Sequence, residues 1–190
     1  MNQTIDQEVK PGFKWMIQTA TRTLAFGFGS GLSPVAPGTA GTLWAWAAFL
    51  LGEYLFTNED FFWIIGGGIL LGCWICGHVS EELGKKDFGG IVWDEMVAFW
   101  LVLIFIMPTG IWMQIIAFVL FRFFDALKPG PIGMIDRHFK DIDSGNAPST
   151  LLQILWRGFG IVVDDLAAAF FTLLIFAVIQ AITQQLGWVL

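Results

Sequence analysis

Two parts of the chain carry a pair of adjacent carboxylates at the start of an apolar segment. Asp94 and Glu95 follow one Gly-Ile-Val run, and Asp164 and Asp165 follow another, seventy positions later. One isolated charge at the centre of a bilayer costs about 2.5–3.5 kcal/mol even on the most lenient scale. Four such groups therefore need a compensating role, and the commonest roles are binding a cation and conducting protons.

Adjacent residues of a helix point about 100° apart, so two neighbouring acids face one point only where the helix begins. There the first turn is open, and the helix dipole favours negative charge. We therefore predict both pairs at helix N-termini, where their oxygens are the hard ligands that Mg²⁺ prefers. Ala98 and Ala168, four residues after the first acid of each pair, would let a helix or ligand approach closely. The alternative is helix capping, worth about 1 kcal/mol.

Another charged group ends a different apolar segment. Arg122, Asp125 and Lys128 are spaced three apart and would share one face of a helix that Pro129 ends. A carboxylate between two cations can hold a metal ion while the cations bind phosphate oxygens. An interfacial ion pair with extended basic side chains is the alternative interpretation.

A Gly-rich stretch containing Ser30 and Thr39 precedes the first apolar segment. It reads GFGSGLSP and then APGTAGT, and turns of this kind can aim backbone N–H groups at one oxyanion. A helix opening at Gly41 and Thr42 would add its N-terminus to that site. Since no Gly-Lys-Ser/Thr occurs, the stretch is not a Walker A loop. The alternative is a turn at which the chain enters the membrane.

The composition indicates an integral membrane protein. Of 190 residues, 56% are hydrophobic and only 14% are charged, against about 25% charged in soluble domains. Nineteen Phe and ten Trp suit lipid contact and interfacial belts. The net charge of −6 and the lack of a basic stripe argue against a nucleic-acid partner. We interpret Cys73 and Cys76 as small apolar helix residues rather than as a redox or metal pair.

Five apolar segments predict an all-α, polytopic membrane bundle of about four to five spans, with re-entrant or interfacial segments on the cytoplasmic side. Residues 125–160, between the last two segments, are expected to form a loop with one short amphipathic piece at 151–156. In a five-span arrangement all ten basic residues lie on one side, which the positive-inside rule makes cytoplasmic. Both acidic pairs then face the cytoplasm. The apolar segments cover roughly 42–56, 61–77, 95–107, 110–124 and 166–186.

Together these stretches resemble the phosphatidylglycerophosphatase A family of bacterial membrane phosphatases. The matching sequences are GFGSGLSP with APGTAGT, DFGGIVWDE, FRFFDALKPGPIGMIDR and GFGIVVDDLAA, in the family's order over most of residues 25–170. The resemblance implies Mg²⁺-dependent removal of phosphate from phosphatidylglycerophosphate, giving phosphatidylglycerol at the cytoplasmic leaflet of the bacterial inner membrane. We expect one domain over residues 1–190, with a cytoplasmic segment at 1–24 and a loop insertion at about 140–156.

The resemblance also implies site residues. Phe88 stands where the family has His, and Gly130 stands where it often has Trp, so no histidine acts at the first of these positions. Glu95 would serve either as a metal ligand or as the general base, and Asp125 would be a further catalytic acid. The implied Mg²⁺ ligands are Asp94, Glu95, Asp164 and Asp165, and the implied substrate-binding residues are Arg122, Lys128, Ser30, Thr39 and Asp87.

Two other functions stay open on the sequence alone. Paired intramembrane acids in a repeated motif also suit a cation- or proton-coupled transporter, although acids confined to one side argue against it. A non-catalytic membrane scaffold is the third hypothesis. The expected partners are the phospholipid substrate and the surrounding membrane lipid, and the sequence leaves a homo-oligomer open.

Overall fold

The regular structure of this chain is helical. The computed structural model describes residues 10–85, 88–129, 133 and 150–185, and within them there are helices and no strands. The all-α prediction is therefore confirmed for these residues. The helices are α1 (Phe13–Met16), α2 (Ala20–Ala25), a 3₁₀ helix (Gly27–Leu32), α3 (Pro37–Gly52), α4 (Asn58–Glu82), α5 (Trp93–Ile106), α6 (Ile111–Leu127) and α7 (Leu151–Gln185).

Two of these helices are long and apolar enough to cross a membrane. They are α4, with 25 residues, and the first 32 residues of α7. At 1.5 Å per residue, α4 alone is about 37 Å long, whereas the hydrocarbon core of a bilayer is about 30 Å thick. Helices α3, α5 and α6 have 16, 14 and 17 residues and are shorter than that core. The count of four to five spans stays a prediction.

Helix α5 occupies the centre of the bundle. It packs against α3, α4, α6 and α7, and nine of its 14 residues are buried. A cluster of aromatic side chains joins it to three of these neighbours: the rings of Phe99 and Phe121 are 5.4 Å apart, and those of Phe49 and Phe61 are 4.4 Å apart. Because α5 is surrounded on several sides, Asp94 in its first turn is buried and Glu95 is partly buried.

Helix α7 differs most from the sequence-based prediction. It begins at Leu151 rather than near residue 166 and continues to Gln185 without interruption. The predicted loop over residues 125–160 is therefore wrong from residue 151 onward. The piece at 151–156 is the start of a long helix instead of a separate amphipathic segment within a loop.

Two glycines, Gly158 in α7 and Gly77 in α4, are packing positions. A Cβ on Gly158 would collide with the backbone carbonyl of Cys73, and a Cβ on Gly77 would collide with that of Ile154. Small residues at such positions let two helix backbones cross in direct contact. Gly158 therefore marks the crossing of α4 and α7, at which Cys73 contributes its carbonyl and Cys76 is buried.

Candidate active site

The two acidic pairs meet where α5 begins and α6 ends, beside the middle of α4 and α7. Asp94 lies in the first turn of α5 and is 7% exposed, and Asp165 lies in the middle of α7 and is 3% exposed. The charge of Asp94 acts on Asp165, and the charge of Asp125 at the end of α6 acts on both. We call the five carboxylates of these three helices the acidic cluster: Asp94, Glu95, Asp125, Asp164 and Asp165.

The first pair lies at a helix start, as predicted, but the second does not. Helix α7 begins more than three turns before Asp164, so the helix N-terminus gives this pair no electrostatic support. Its two side chains project about 100° apart and reach different partners. Asp164 forms an ion pair with Lys128, whereas Asp165 interacts with the charges of Asp125 and Asp94.

Arg122 holds one side of the acidic cluster. Its Nη1 lies 3.0 Å from Glu95 Oε1 and 2.6 Å from Asp125 Oδ2. The same nitrogen donates a hydrogen bond of 3.3 Å to the hydroxyl of Thr42, a fully buried residue of α3. A Cβ on Gly38 would collide with the Glu95 carboxylate and would lie 2.9 Å from Arg122 Nη2. The first turn of α3 therefore lies directly against this ion pair.

Lys128 holds the other side. It follows the last residue of α6 with left-handed backbone angles, φ 44° and ψ 53°, and its Nζ forms the ion pair with Asp164. Such a conformation costs a non-glycine residue about 1 kcal/mol or more and is found at functional sites. Both basic residues that were predicted to bind phosphate thus contact carboxylates in this structure.

Asp94 and Asp165 differ from the other acids of the cluster, because no cation contacts either of them among the described residues. The buried Oδ1 of Asp94 has no hydrogen-bond partner there. An ionised carboxylate buried in this way is costly unless a cation or a proton compensates it. The cluster is therefore built to accept positive charge at these two residues.

The donor chemistry of the cluster fits a hard divalent cation such as Mg²⁺. Its ligands would be carboxylate oxygens, which Mg²⁺ prefers, and the partnerless Oδ1 of Asp94 is one of them. The acidic cluster has five carboxylates, and the ion pairs between described residues bring only two cations to it, Arg122 and Lys128. Within the same residues no three His, Cys, Asp or Glu side chains are already grouped for metal binding. The fit of the acidic cluster to Mg²⁺ therefore rests on the type of its donor atoms and on its excess of negative charge.

Two other predicted site residues, Ser30 and Thr39, lie apart from these contacts. Ser30 donates its hydroxyl hydrogen to the carbonyl of Gly27 at 2.8 Å, within its own turn. Thr39 lies in the first turn of α3, next to Gly38, and no hydrogen bond between described residues joins it to the cluster. Asp87 lies outside the described residues, so its predicted role is not tested.

The Gly-rich stretch supports the segment that enters α5. The N–H groups of Gly29 and Gly31 both donate to the carbonyl of Phe26 at 3.0 Å, so neither is directed at a bound anion. A Cβ on Gly41 would lie 2.6 Å from the Val92 side chain, and the Val92 N–H donates to the carbonyl of Ala25 at 2.8 Å. These contacts fix the residue that precedes α5 and hence the direction of its acidic first turn.

Two residues that orient the first pair, Thr42 and Trp93, were not among the predicted site residues. The indole N–H of Trp93 donates to the carbonyl of Gly68 in α4 at 2.9 Å, and its ring is 8% exposed. A Cβ on Gly72 would lie 3.1 Å from that ring. The four-residue spacing of Gly68 and Gly72 signals close helix packing but does not identify the partner.

Known proteins resemble this chain over most of its length. The sequence profile described as Phosphatidylglycerophosphatase A matches residues 23–145. Proteins with that name from Haemophilus influenzae and Escherichia coli are 40% and 36% identical, over 83% and 76% of this chain and 86% and 74% of their own. This chain belongs to the phosphatidylglycerophosphatase A family. A putative phosphatidylinositol-3-phosphatase of Bacteroides thetaiotaomicron is 31% identical over 80% of this chain and 88% of its own, and no solved structure matches.

Membership of the phosphatidylglycerophosphatase A family makes the chain a lipid phosphatase and confirms the resemblance seen in its motifs. The profile match contains the first acidic pair together with Arg122, Asp125 and Lys128, and it ends before α7 begins. The structure joins the two parts, since Lys128 within the match forms its ion pair with Asp164 beyond it.

Proposed function

We propose that the protein hydrolyses the phosphate monoester of phosphatidylglycerophosphate to phosphatidylglycerol and phosphate, as a step of phospholipid biosynthesis. The names of two relatives support this substrate. The observation that carries the proposal is the acidic cluster, in which three helices bring carboxylates and two cations together where α5 begins and α6 ends. A headgroup phosphate can reach that site while the acyl chains stay in the bilayer.

Mg²⁺ is the proposed cofactor. When bound, it would supply charge neutralisation at the phosphate and an activated water for in-line attack. We assign Asp94 and Asp165 as its principal ligands, because both are buried and no cation contacts them among the described residues. Asp164 is a further ligand, and Glu95 is either a ligand or the general base.

Arg122 and Lys128 have different parts in this proposal. Arg122 already bridges Glu95 and Asp125, so it orients both acids, and its buried Nε has no hydrogen-bond partner among the described residues. That N–H is a donor for a phosphate oxygen. The Lys128 side chain is 25% exposed and flexible, so its ammonium can exchange Asp164 for a phosphate oxygen without backbone movement.

Glu95 and Asp125 are the candidates for proton transfer. Arg122 contacts one oxygen of each carboxylate, which fixes their orientation. A carboxylate held within hydrogen-bond reach of water can accept its proton as the water attacks phosphorus. Direct attack by water requires no protein nucleophile, and the displaced alcohol leaves as phosphatidylglycerol.

We further propose a multi-pass location in the bacterial cytoplasmic membrane, with the acidic cluster facing the cytoplasm. The lengths of α4 and α7 support membrane insertion. The basic residues support the orientation, because Arg22 contacts the last residue of α4, and Lys128, which follows the last residue of α6, contacts Asp164 of the cluster. A transporter is not favoured, because its acids would need access from both sides.

The test is phosphate release from phosphatidylglycerophosphate by the detergent-purified protein, with Mg²⁺ and with EDTA. We expect activity that EDTA removes, that Asp94→Asn loses, and that Glu59→Gln in the first turn of α4 retains. Activity that survives thorough chelation would overturn the metal. Release from another phosphomonoester lipid but not from this one would overturn the substrate, and Asp94-dependent ion flux in vesicles without phosphatase activity would overturn the enzyme.

A further inference from the structure

Helix α1 and its flanks expose both basic and apolar side chains. Phe13 is 65% exposed and Ile17 is 55% exposed, and Lys10 and Lys14 are exposed beside them. The opposite face of the same helix is buried through Met16. We call the four exposed residues the α1 surface: Lys10, Phe13, Lys14 and Ile17.

The charge of this region has the opposite sign to that of the whole chain. From Lys10 to Gly52 there are three basic residues and no acidic one, although the chain carries a net charge of −6. Arg22 is paired with Glu82, but no ion pair between described residues includes Lys10 or Lys14. The positive charge of the α1 surface is therefore available to an external anion.

Contacts with α4 set the height of the α1 surface relative to a membrane. Arg22 Nε lies 2.8 Å from Glu82 Oε2, and Glu82 is the last residue of α4. Because α4 is about 37 Å long and the hydrocarbon core is about 30 Å thick, its end lies at headgroup level. The Arg22 guanidinium also lies 4.2 Å from the centre of the Trp15 ring and donates to the Trp15 carbonyl at 3.3 Å. Helix α1 is thereby held at the same level.

We propose that the α1 surface binds the headgroup layer of an anionic bilayer, with Lys10 and Lys14 at lipid phosphates and Phe13 and Ile17 at the acyl boundary. Short segments with aromatic or aliphatic residues beside lysines bind membrane interfaces in this way. The inference depends on the membrane location and not on the phosphatase reaction. Since the proposed substrate is itself an anionic lipid, the same surface would also concentrate it near the acidic cluster.

The experiment is amide hydrogen exchange of residues 12–18 in the full chain, reconstituted in nanodiscs of phosphatidylcholine alone or with phosphatidylserine. Each lysine near an anionic surface contributes a factor of about five in binding. With two lysines we therefore expect exchange to be up to about 25-fold slower with phosphatidylserine. The difference should disappear at about 1 M salt, where the screening length is about 3 Å.

Variants separate the charge from the apolar contact. Lys10→Gln with Lys14→Gln should abolish the phosphatidylserine effect, and Lys10→Arg with Lys14→Arg should keep it. Phe13→Ser with Ile17→Ser should speed exchange in both kinds of nanodisc. Phosphate release in detergent checks that each variant folds, because none of these residues contacts the acidic cluster.

Two results would overturn the proposal. One is equal exchange in the two lipid mixtures, or a phosphatidylserine effect that the Lys10→Gln and Lys14→Gln double variant retains. The other is protection that depends on the number of protein copies per nanodisc, which would make the α1 surface a protein interface. Failure of the phosphatase assay alone would leave the exchange result intact, so the two proposals are tested separately.

Discussion

The two acidic pairs have nearly the same sequence context but different structural surroundings. Asp94 and Glu95 begin a helix, and their backbone is fixed by contacts with α3, α4 and the Gly-rich stretch. Asp164 and Asp165 lie inside a 35-residue helix, and its continuous backbone positions them. In each pair one acid contacts a cation, Glu95 with Arg122 and Asp164 with Lys128, while the other contacts none among the described residues.

This difference indicates that the two copies of the motif provide the same kinds of side chain but do not have the same position in a helix. Each pair provides one ion-paired carboxylate, which ties its helix to α6, and one carboxylate without a contacting cation, Asp94 or Asp165. The latter two come from different helices, and the charge of Asp94 acts on Asp165. Two acids, Asp94 and Asp165, are thus the proposed principal ligands of a cation, whereas Glu95 and Asp164 also form ion pairs that hold α5 and α7 to α6.

The largest expected effect is on turnover in Asp94→Asn and Asp165→Asn. Removing one electrostatic contact to a transition state typically costs about 10²–10³ in rate, and we expect losses of that size. Stability should be unchanged or higher, because each substitution removes a buried charge that no cation contacts in the described residues. Phosphate release and the thermal midpoint in detergent measure the two effects. Near wild-type turnover in either variant would remove that residue from the assigned ligands.

The ion-paired acids should show the reverse pattern, with stability affected first. Breaking a buried ion pair costs about 3–5 kcal/mol, and since the Lys128 side chain is 25% exposed, we expect about 2 kcal/mol for Lys128→Met. That corresponds to a lowering of the thermal midpoint by about 4–8 °C. Adding Asp164→Asn should restore part of the loss, because the buried charge is then also removed. A double variant less stable than Lys128→Met would contradict the pairing.

The different placement of the second pair can be tested at Gly158. In Gly158→Ala the new Cβ would meet the Cys73 carbonyl, and forcing α4 and α7 apart should cost about 1.5 kcal/mol. The matched control is Gly66→Ala in α4, where a Cβ meets nothing within 4 Å and helix propensity should improve by up to about 1 kcal/mol. Equal thermal midpoints for the two variants would mean that Gly158 is not a packing position.

Gly158 also shows where sequence-based inference reached its limit. The helix start at Asp94 and the i,i+3 contact of Arg122 with Asp125 follow from local rules of capping and spacing, and both are confirmed. A glycine before an acidic pair is compatible with a break and with a helix crossing. Only the position of α4 distinguishes the two. The start of α7 was therefore predicted about fifteen residues too late.

The same limit applies to the residues that hold the first pair. Spacing along one segment could identify Asp94, Arg122 and Lys128, because each belongs to a recognisable motif. It could not identify Thr42 or Trp93, because their partners, Arg122 and Gly68, belong to other helices. Polar contacts between helices depend on which faces meet, and this information is not present in either segment alone.

The smallest expected effect is that of Trp93→Phe, which removes the indole N–H bonded to Gly68 but keeps an aromatic ring. A net hydrogen bond is worth about 1 kcal/mol. If all of this free energy served to orient Asp94 for the reaction, its loss would lower turnover about fivefold. The control is Trp100→Phe, which removes an equivalent 2.7 Å bond to the Ala45 carbonyl two turns further along α5. Both variants should lose similar stability, but only Trp93→Phe should lose turnover, because only Trp93 adjoins the acidic pair. An equal loss of turnover would show that these bonds stabilise α5 as a whole and do not specifically orient its first turn.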